Sequence, residues 1–321
     1  MLKTNHFHLL ACPKCQTKLT TEGDNLTCEP CGIKYIVRTE VPIMLMEESI
    51  DMSGVTILDN VRHVDKEDIK KHFTTVAESL EVSNMTRFVT FLNWGYKVTE
   101  NEQYAQFEVD DSMLNKNPLK LLFEIVGQVN LKDKKVLDVG CGRGGNLAGI
   151  NKYYKAHTCV GLDLTEASVQ FDHVRHKGDN MFFLVGDAEN LPFESETFDA
   201  VFNCESSHGY PNIHKFYDGV YRVLKTGGHF LYGDMLPTDK WPEFELYLIS
   251  LGFEILRNQD ITENILTSCD EVAENHYSAY GKMDQDFMEG MKDSLSLPGS
   301  GIYNDMQTGI QQFRVINAIK K

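Results

Sequence analysis

The chain predicts a doubly wound α/β fold, a mostly parallel sheet with helices on both faces, preceded by a small cysteine-rich module. Three observations predict it. From residue 134 onward, short apolar β-prone runs alternate with segments of helical period. A glycine-rich loop, Asp138-Val-Gly-Cys-Gly-Arg-Gly-Gly145, stands between the first such run and the first such helix. Two Cys-x-x-Cys pairs lie near the N-terminus.

Taken in order, residues 1–46 carry short β-prone pieces between the cysteine pairs and end in the apolar stretch Val41-Pro42-Ile43-Met44-Leu45-Met46. The acidic stretch that follows lacks periodicity and reads as a linker, and 65–125 reads as helices with loops. Together, 47–125 make a linker and helical cap. Phe88, Phe91, Leu92, Trp94 and Tyr96 are dense there, a pattern of core packing. The main unit, 126–321, is expected to place strands at 135–139, 158–162, 181–185, 200–204 and 229–232. Helices are expected between them at 146–154, 166–177 and 213–224. Two further strands are expected at 253–257 and 312–318, the second alternating like an antiparallel edge. Residues 261–310, punctuated by Pro298, Gly299 and Gly301, read as a lid insertion over the site.

With 321 residues the chain exceeds one modest core, so two or three units are expected. No apolar run is long enough to span a bilayer, and the first 15 residues show no secretory cleavage pattern, so a soluble, cytoplasmic protein is expected. A net charge of −16 opposes binding to a phosphate backbone. The lysines at 132, 134 and 135 read as a solvated turn. Cys141, Cys159, Cys204 and Cys269 are expected to be reduced core thiols, and Cys141 has no evident base beside it.

Gly140, Gly142 and Gly145 satisfy G-x-G-x-x-G, which lets a cofactor approach the backbone but is shared with nicotinamide and flavin enzymes. Three acids shift the balance. Asp138 precedes the first glycine, where an anion repels phosphates and suits a cationic amino-acid cofactor. Asp163, at the end of the second strand, can bind both ribose hydroxyls. Asp187, in Gly186-Asp-Ala-Glu-Asn-Leu-Pro-Phe193 after the third strand, can bond the exocyclic amine of an adenine. Leu164 and Ala188, beside two of these acids, are counted with them as cofactor-contacting positions.

These motifs, with Val223-Leu-Lys-Thr-Gly-Gly228 before strand five, resemble those of the class I methyltransferases. The resemblance implies a seven-stranded, Rossmann-like sheet ending in an antiparallel hairpin, with S-adenosylmethionine across the strand carboxyl ends. Phe91-Leu-Asn-Trp-Gly-Tyr96, Glu205-Ser-Ser-His-Gly-Tyr-Pro211 and Tyr232-Gly-Asp-Met-Leu-Pro237 are closer still to the O-methyltransferases of the phthiotriolone dimycocerosate and microcystin types. That similarity implies a hydroxyl on a hydrophobic small molecule or lipid as acceptor. It places Asn93, Trp94, Tyr96 and Tyr210 in the acceptor pocket.

An alcohol must lose its proton during transfer, and a histidine has a suitable pKa. His208, just after strand four, is the candidate base or a pocket-closing residue, and Glu205 can orient or charge its imidazole. Asp234 is expected to cap the helix after strand five or to serve as a second base.

Cys12, Cys15, Cys28 and Cys31 give C-x2-C-x12-C-x2-C, the spacing of a four-thiolate zinc ribbon. Four sulfurs close the coordination sphere, so the expected Zn2+ is structural, and His6 and His8 read as surface residues. The ribbon resembles small zinc-ribbon activators of tRNA and protein methyltransferases, which implies a partner chain as one use of it. Two alternatives stay open: a nucleic-acid methyltransferase with the ribbon as recognition module, and a noncatalytic scaffold of the same fold.

Overall fold

The computed structural model describes residues 6–51, 64–82, 89–98, 107, 109, 115–280, 292 and 296–321. Phe88, much of the expected linker and the middle of the 261–310 insertion lie outside the described residues.

The cysteine-rich module is built of very short strands: β1 (Thr20–Glu22), β2 (Asn25–Cys28), β3 (Ile33–Tyr35), β4 (Val37–Arg38), β5 (Val41–Pro42) and β6 (Ile50–Asp51). β1, β2, β3 and β6 form one antiparallel sheet, and β4 pairs with β5. The sheet thus takes a strand from beyond Met46. Helix α1 (Val64–Val82), the extended segment 89–98 and α2 (Lys116–Val126) follow.

The main unit runs β7 (Lys135–Val139), α3 (Gly145–Gly149), β8 (Thr158–Asp163), α4 (Glu166–Arg175), β9 (Met181–Val185), β10 (Phe198–Cys204), α5 (Ile213–Val223) and β11 (Leu224–Pro237). It ends with α6 (Trp241–Leu251), β12 (Phe253–Asp260), α7 (Thr262–Tyr280), α8 (Gly301–Gln307) and β13 (Gln311–Lys320). The sheet order is β12-β13-β11-β10-β7-β8-β9, with β13 antiparallel to both neighbours and β7 to β11 parallel. The doubly wound, seven-stranded class expected from the sequence is the class observed.

Strand alternation sends successive side chains to opposite layers. Leu137 and Val139 of β7 join the layer of α5, α6 and the cysteine module, through Phe216, Trp241, Phe244, Leu10 and Tyr35. Val136 joins the layer of α2, α3, α7 and α8, through Leu122, Phe123, Leu147, Ile265 and Met306. The module is docked on the main sheet by backbone bonds: Ala11 N–H donates to the Pro192 carbonyl at 2.8 Å, and Met44 N–H to the Val185 carbonyl at 2.8 Å. The second bond, with a parallel bridge from Ile43 to Val185, covers the free edge of β9.

Three elements differ from the sequence expectation for identifiable reasons. β11 extends to Pro237 because β13 pairs with it continuously from His229 to Pro237. The first helix of the unit begins as α3 and widens into a π-helical turn, Ile150–Tyr154. Residues 241–251, where periodicity predicts no element, form α6, with Pro242 in its first turn and Gly252 at φ 106° ending it.

Candidate active site

The carboxyl ends of β7, β8, β9, β10 and β11 deliver Asp138, Asp163, Asp187, Glu205 and Asp234 to one rim of the sheet, the rim where doubly wound folds bind ligands. Above it lies a cavity of about 370 Å³. Gly140, Gly142, Gly145, Asp163, Leu164, Asp187 and Ala188 line one part of it; Asn93, Trp94, Glu205, His208 and Tyr210 line another. Asp138 sits beneath the glycine loop, fully buried, and its Oδ2 has no hydrogen-bond partner among the described residues. Burial, aided by the charge of Asp163, holds its carboxyl well above the usual carboxylate range.

The glycine loop is shaped by what presses on it. Gly140 takes φ 72°, and a Cβ there would overlap Ser206 Oγ and lie 2.7 Å from Tyr210 Oη. At Gly145 a Cβ would collide with the Thr90 carbonyl oxygen, to which the Gly145 amide donates at 3.0 Å. The loop is therefore closed from outside by the segment that carries Asn93 and Trp94. Asp163 fixes it from below, accepting from Gly142 N–H at 2.9 Å and Thr165 N–H at 2.8 Å.

Asp187 accepts from the Glu189 amide at 2.9 Å, from Asn190 Nδ2 at 2.8 Å and from Lys66 Nζ of α1 at 2.8 Å. Lys66 also reaches Glu189 at 2.7 Å. Among the described residues, the one lysine on the cavity wall is thus neutralised by two carboxylates, and the remaining acids favour a cation, an amine or hydroxyls over a polyphosphate. An unpaired buried carboxylate oxygen, a glycine cradle and this donor set fit S-adenosylmethionine. Asp163, Asp187 and residues of the 140–145 loop line the cavity and would hold it, while Asp138, expected among them, lies beneath the loop and is not part of the wall.

At the other end, His208 follows β10 on the short 3-10 turn Ser207–Gly209. Its Nδ1 lies 2.7 Å from Asp234 Oδ1. The imidazole lines the cavity with 35% of its side chain exposed, whereas Asp234 is 0% exposed. Burial alone would push the imidazole pKa down, but the charge and hydrogen bond of Asp234 outweigh it and hold it above the ordinary 6.5. Asp234 also accepts from Ser207 Oγ at 2.7 Å and His208 N–H at 3.1 Å. It caps the turn that carries the histidine, not the helix after β11.

Two sequence expectations are corrected here. Glu205 does not orient His208: both its oxygens accept from the Trp94 amide at 3.1 Å, and the imidazole's carboxylate partner is Asp234. Tyr96 is packed in the core below the cavity instead of in its wall, its amide donating to the Asn117 carbonyl. Asn93 lines the cavity while bonding Asn146 at 3.2 Å, and Tyr210 bonds Ser206 Oγ at 2.5 Å. The sequence reading missed Lys66, Ile69, His72 and Phe73 of α1, which form part of the wall. Their spacing marks one helical face, but nothing in it says where that face docks.

The sulfur ligands Cys12, Cys15, Cys28 and Cys31 all lie within 4.8 Å of one another, on the module that precedes α1. Four thiolates around zinc at about 2.3 Å make a tetrahedral set with no open position. The cluster has the donor set of a structural zinc site. Among the described residues, no helix is long and apolar enough to cross a membrane.

Comparison with known proteins agrees with this fold. A family described as "Methyltransferase domain" matches residues 137–232. "Phthiotriol/phenolphthiotriol dimycocerosates methyltransferase" of Mycobacterium leprae is 35% identical over 178 residues, 56% of this chain and 65% of the relative. "Fatty-acid O-methyltransferase" of Mycolicibacterium smegmatis is 36% identical over 178 residues, 56% of this chain and 64% of the relative. "Probable phthiotriol/phenolphthiotriol dimycocerosates methyltransferase 2" of Mycobacterium ulcerans is 33% identical over 182 residues, 57% of this chain and 70% of the relative. The match spans just under two thirds of the length of the first two relatives. Geranyl diphosphate C-methyltransferase from Streptomyces coelicolor A3(2), solved with S-adenosyl-L-homocysteine, superposes with a TM-score of 0.55 over 81% of this chain and 99% of its own. At 15% identity that likeness is one of fold.

Proposed function

We propose that this chain, which belongs to the class I S-adenosylmethionine-dependent methyltransferases, methylates an oxygen of a hydrophobic, lipid-like acceptor with His208 as general base. The observation that carries the reading is the His208–Asp234 pair, whose imidazole opens to the same cavity as the glycine loop and the acids suited to the cofactor. When bound, the cofactor supplies an electrophilic sulfonium methyl group.

The chain's own residues have three tasks. Asp163, Asp187 and the 140–145 loop would hold the adenosine and amino-acid ends of the cofactor, and positioning the two reactants in this way is a large share of the required acceleration. Asp234 holds Nδ1 of His208, which turns Nε2 toward the cavity as the atom that takes the acceptor proton. Trp94, Ile69 and Phe73 provide apolar wall for the acceptor's hydrocarbon part and exclude water. The lipid-acting names of two relatives support the acceptor class.

The test is methyl transfer from labelled S-adenosylmethionine to a panel of long-chain alcohols, hydroxylated lipids, fatty acids and bulk RNA. Label is expected in lipid oxygen positions, dependent on His208. Label in RNA alone, or turnover of His208→Ala equal to that of the wild type, overturns the reading.

A further inference from the structure

A continuous set of contacts leads from the cysteine cluster to the cofactor end of the cavity. Cys12 Sγ lies 3.1 Å from the hydroxyl of Tyr35, and that hydroxyl donates to Met46 Sδ at 3.4 Å. Met46 opens the short 3-10 turn Met46–Glu48, which is closed by Ser49: its hydroxyl and amide both donate to the Met46 carbonyl, at 2.7 and 3.2 Å. Glu48, at the end of this turn, accepts from Lys70 Nζ of α1 at 2.8 Å and from Arg38 of β4 at 3.3 Å. Arg38 in turn pairs with Glu166 of α4. One helical turn before Lys70, Lys66 enters the cavity and binds Asp187 and Glu189. Ile69, between them, comes within 3.9 Å of the position a Cβ would take on Gly209, beside His208.

Residues 66, 69, 70 and 73 fall on one face of a helix. That face covers the adenine-side acids with Lys66 and the turn of the histidine with Ile69. It is tied to the cysteine module by the Lys70–Glu48 ion pair, and Glu48 is not part of the cavity wall. Against burial, which pushes it up, the charges of Lys70 and Arg38 hold the Glu48 carboxyl below its usual range, as expected for a carboxylate committed to both.

We infer that Glu48 and Lys70 are positioning residues through which the metal-bearing module holds α1 over the cofactor cavity, so that an intact four-cysteine cluster supports cofactor affinity from a distance. This rests on the cofactor reading above. The module is then more than a stabilising appendage: order at the metal reaches Asp187 through Tyr35, Met46, Glu48 and α1.

The test uses the full-length, zinc-loaded protein and two measurements: S-adenosylhomocysteine affinity by calorimetry, and hydrogen exchange of the 64–82 backbone. Glu48→Gln and Lys70→Met are expected to weaken affinity roughly three- to fivefold each, the upper range for a partly exposed ion pair. The double variant should do no worse than either single one, because both remove one link. Lys70→Arg should bind like the wild type. Exchange of α1 should quicken in both single variants, without cofactor present and with zinc content unchanged, and in wild type stripped by a chelator. Wild-type affinity in Glu48→Gln and Lys70→Met, or α1 exchange that ignores both variants and the chelator, overturns the proposal. Failure of the wild type to bind S-adenosylhomocysteine overturns the cofactor reading itself, and the exchange data then separately decide whether the module holds α1.

Discussion

Asp234, wholly buried in β11 three residues before its end, lies 2.7 Å from Nδ1 of His208, on the turn after the neighbouring strand β10. The two residues are 26 positions apart in sequence, and the pairing of Cys204 with Gly233 brings their backbones together. A base held this way titrates above the ordinary histidine value of 6.5. On the proposed reading the deprotonated form is the active one, so kcat/KM should rise with pH along a single acid limb whose midpoint exceeds 6.5. Asp234→Asn removes the charge that raises the imidazole pKa, so the limb should move to lower pH while the plateau falls. His208→Ala should cost about 10²–10⁴ in turnover, the usual span for general-base loss. The pH–rate profiles of the three proteins check this, and an identical limb in wild type and Asp234→Asn excludes the pair from proton transfer.

The glycine loop allows a contrast between strain and collision. Gly140 and Gly227 have nearly the same backbone, φ 72° and 77°, so alanine at either costs conformational energy of order 1 kcal/mol. Only at Gly140 does the new methyl group strike the site, where Ser206 and Tyr210 already stand. Gly140→Ala should lose S-adenosylhomocysteine binding by more than about tenfold. Gly227→Ala should lower the melting temperature but keep the affinity. Calorimetric titration and thermal unfolding of both variants separate the two effects.

Much of the fold was legible because a parallel sheet buried on both faces needs short apolar strands, and runs such as 135–139 and 181–185 are of that kind. The placing of Asp163 and Asp187 on the cavity wall was legible because each lies at the carboxyl end of a strand, and strand ends define the ligand rim. What escaped depended on tertiary contact. The face of α1 with Lys66 and Ile69 has no signal that names its target. Asp234 carried two expected roles, a cap of the next helix or a second base, and the register of β10 on β11 instead sets it beside His208. Tyr96 stood in an aromatic motif whose packing side is set by α2, through the Asn117 carbonyl.

Glu205 offers a test of buried charge. Burial first, then the repulsion of Asp234, raises its carboxyl well above the ordinary 4.5, although the Trp94 amide opposes this. An acid raised in the folded state contributes stability that is fully present below its unfolded pKa and is lost as pH rises through the folded value. Glu205→Gln cannot ionise and keeps an acceptor for Trp94. Its melting temperature should exceed that of the wild type at alkaline pH, with the gap closing as pH falls toward 4.5. Glu205→Ala removes the carboxylate that accepts from the Trp94 amide and should destabilise by about 1–3 kcal/mol at all pH values. Melting curves across this pH range check both.

The cysteine module should depend on its metal for more than its own folding. Its strands are two to four residues long, too short to hold a sheet by hydrogen bonds alone, so its order is expected to come from metal binding together with the packing of Leu10, Leu26 and Tyr35 in the main core. Its backbone also seals the main sheet: Met44 bonds Val185 of the outermost parallel strand, and Ala11 bonds Pro192. Losing the metal should therefore free the β9 edge, a template for pairing with other chains. Purified protein is expected to hold one zinc per chain by elemental analysis, and cobalt exchange should give thiolate charge-transfer bands with tetrahedral ligand-field absorption. Cys12→Ser and Cys28→Ser, which alter the two fully buried ligands, should lose the metal and aggregate on warming at temperatures where the wild type stays monodisperse in light scattering. Retained metal in either variant would show that the four sulfurs do not act as one site.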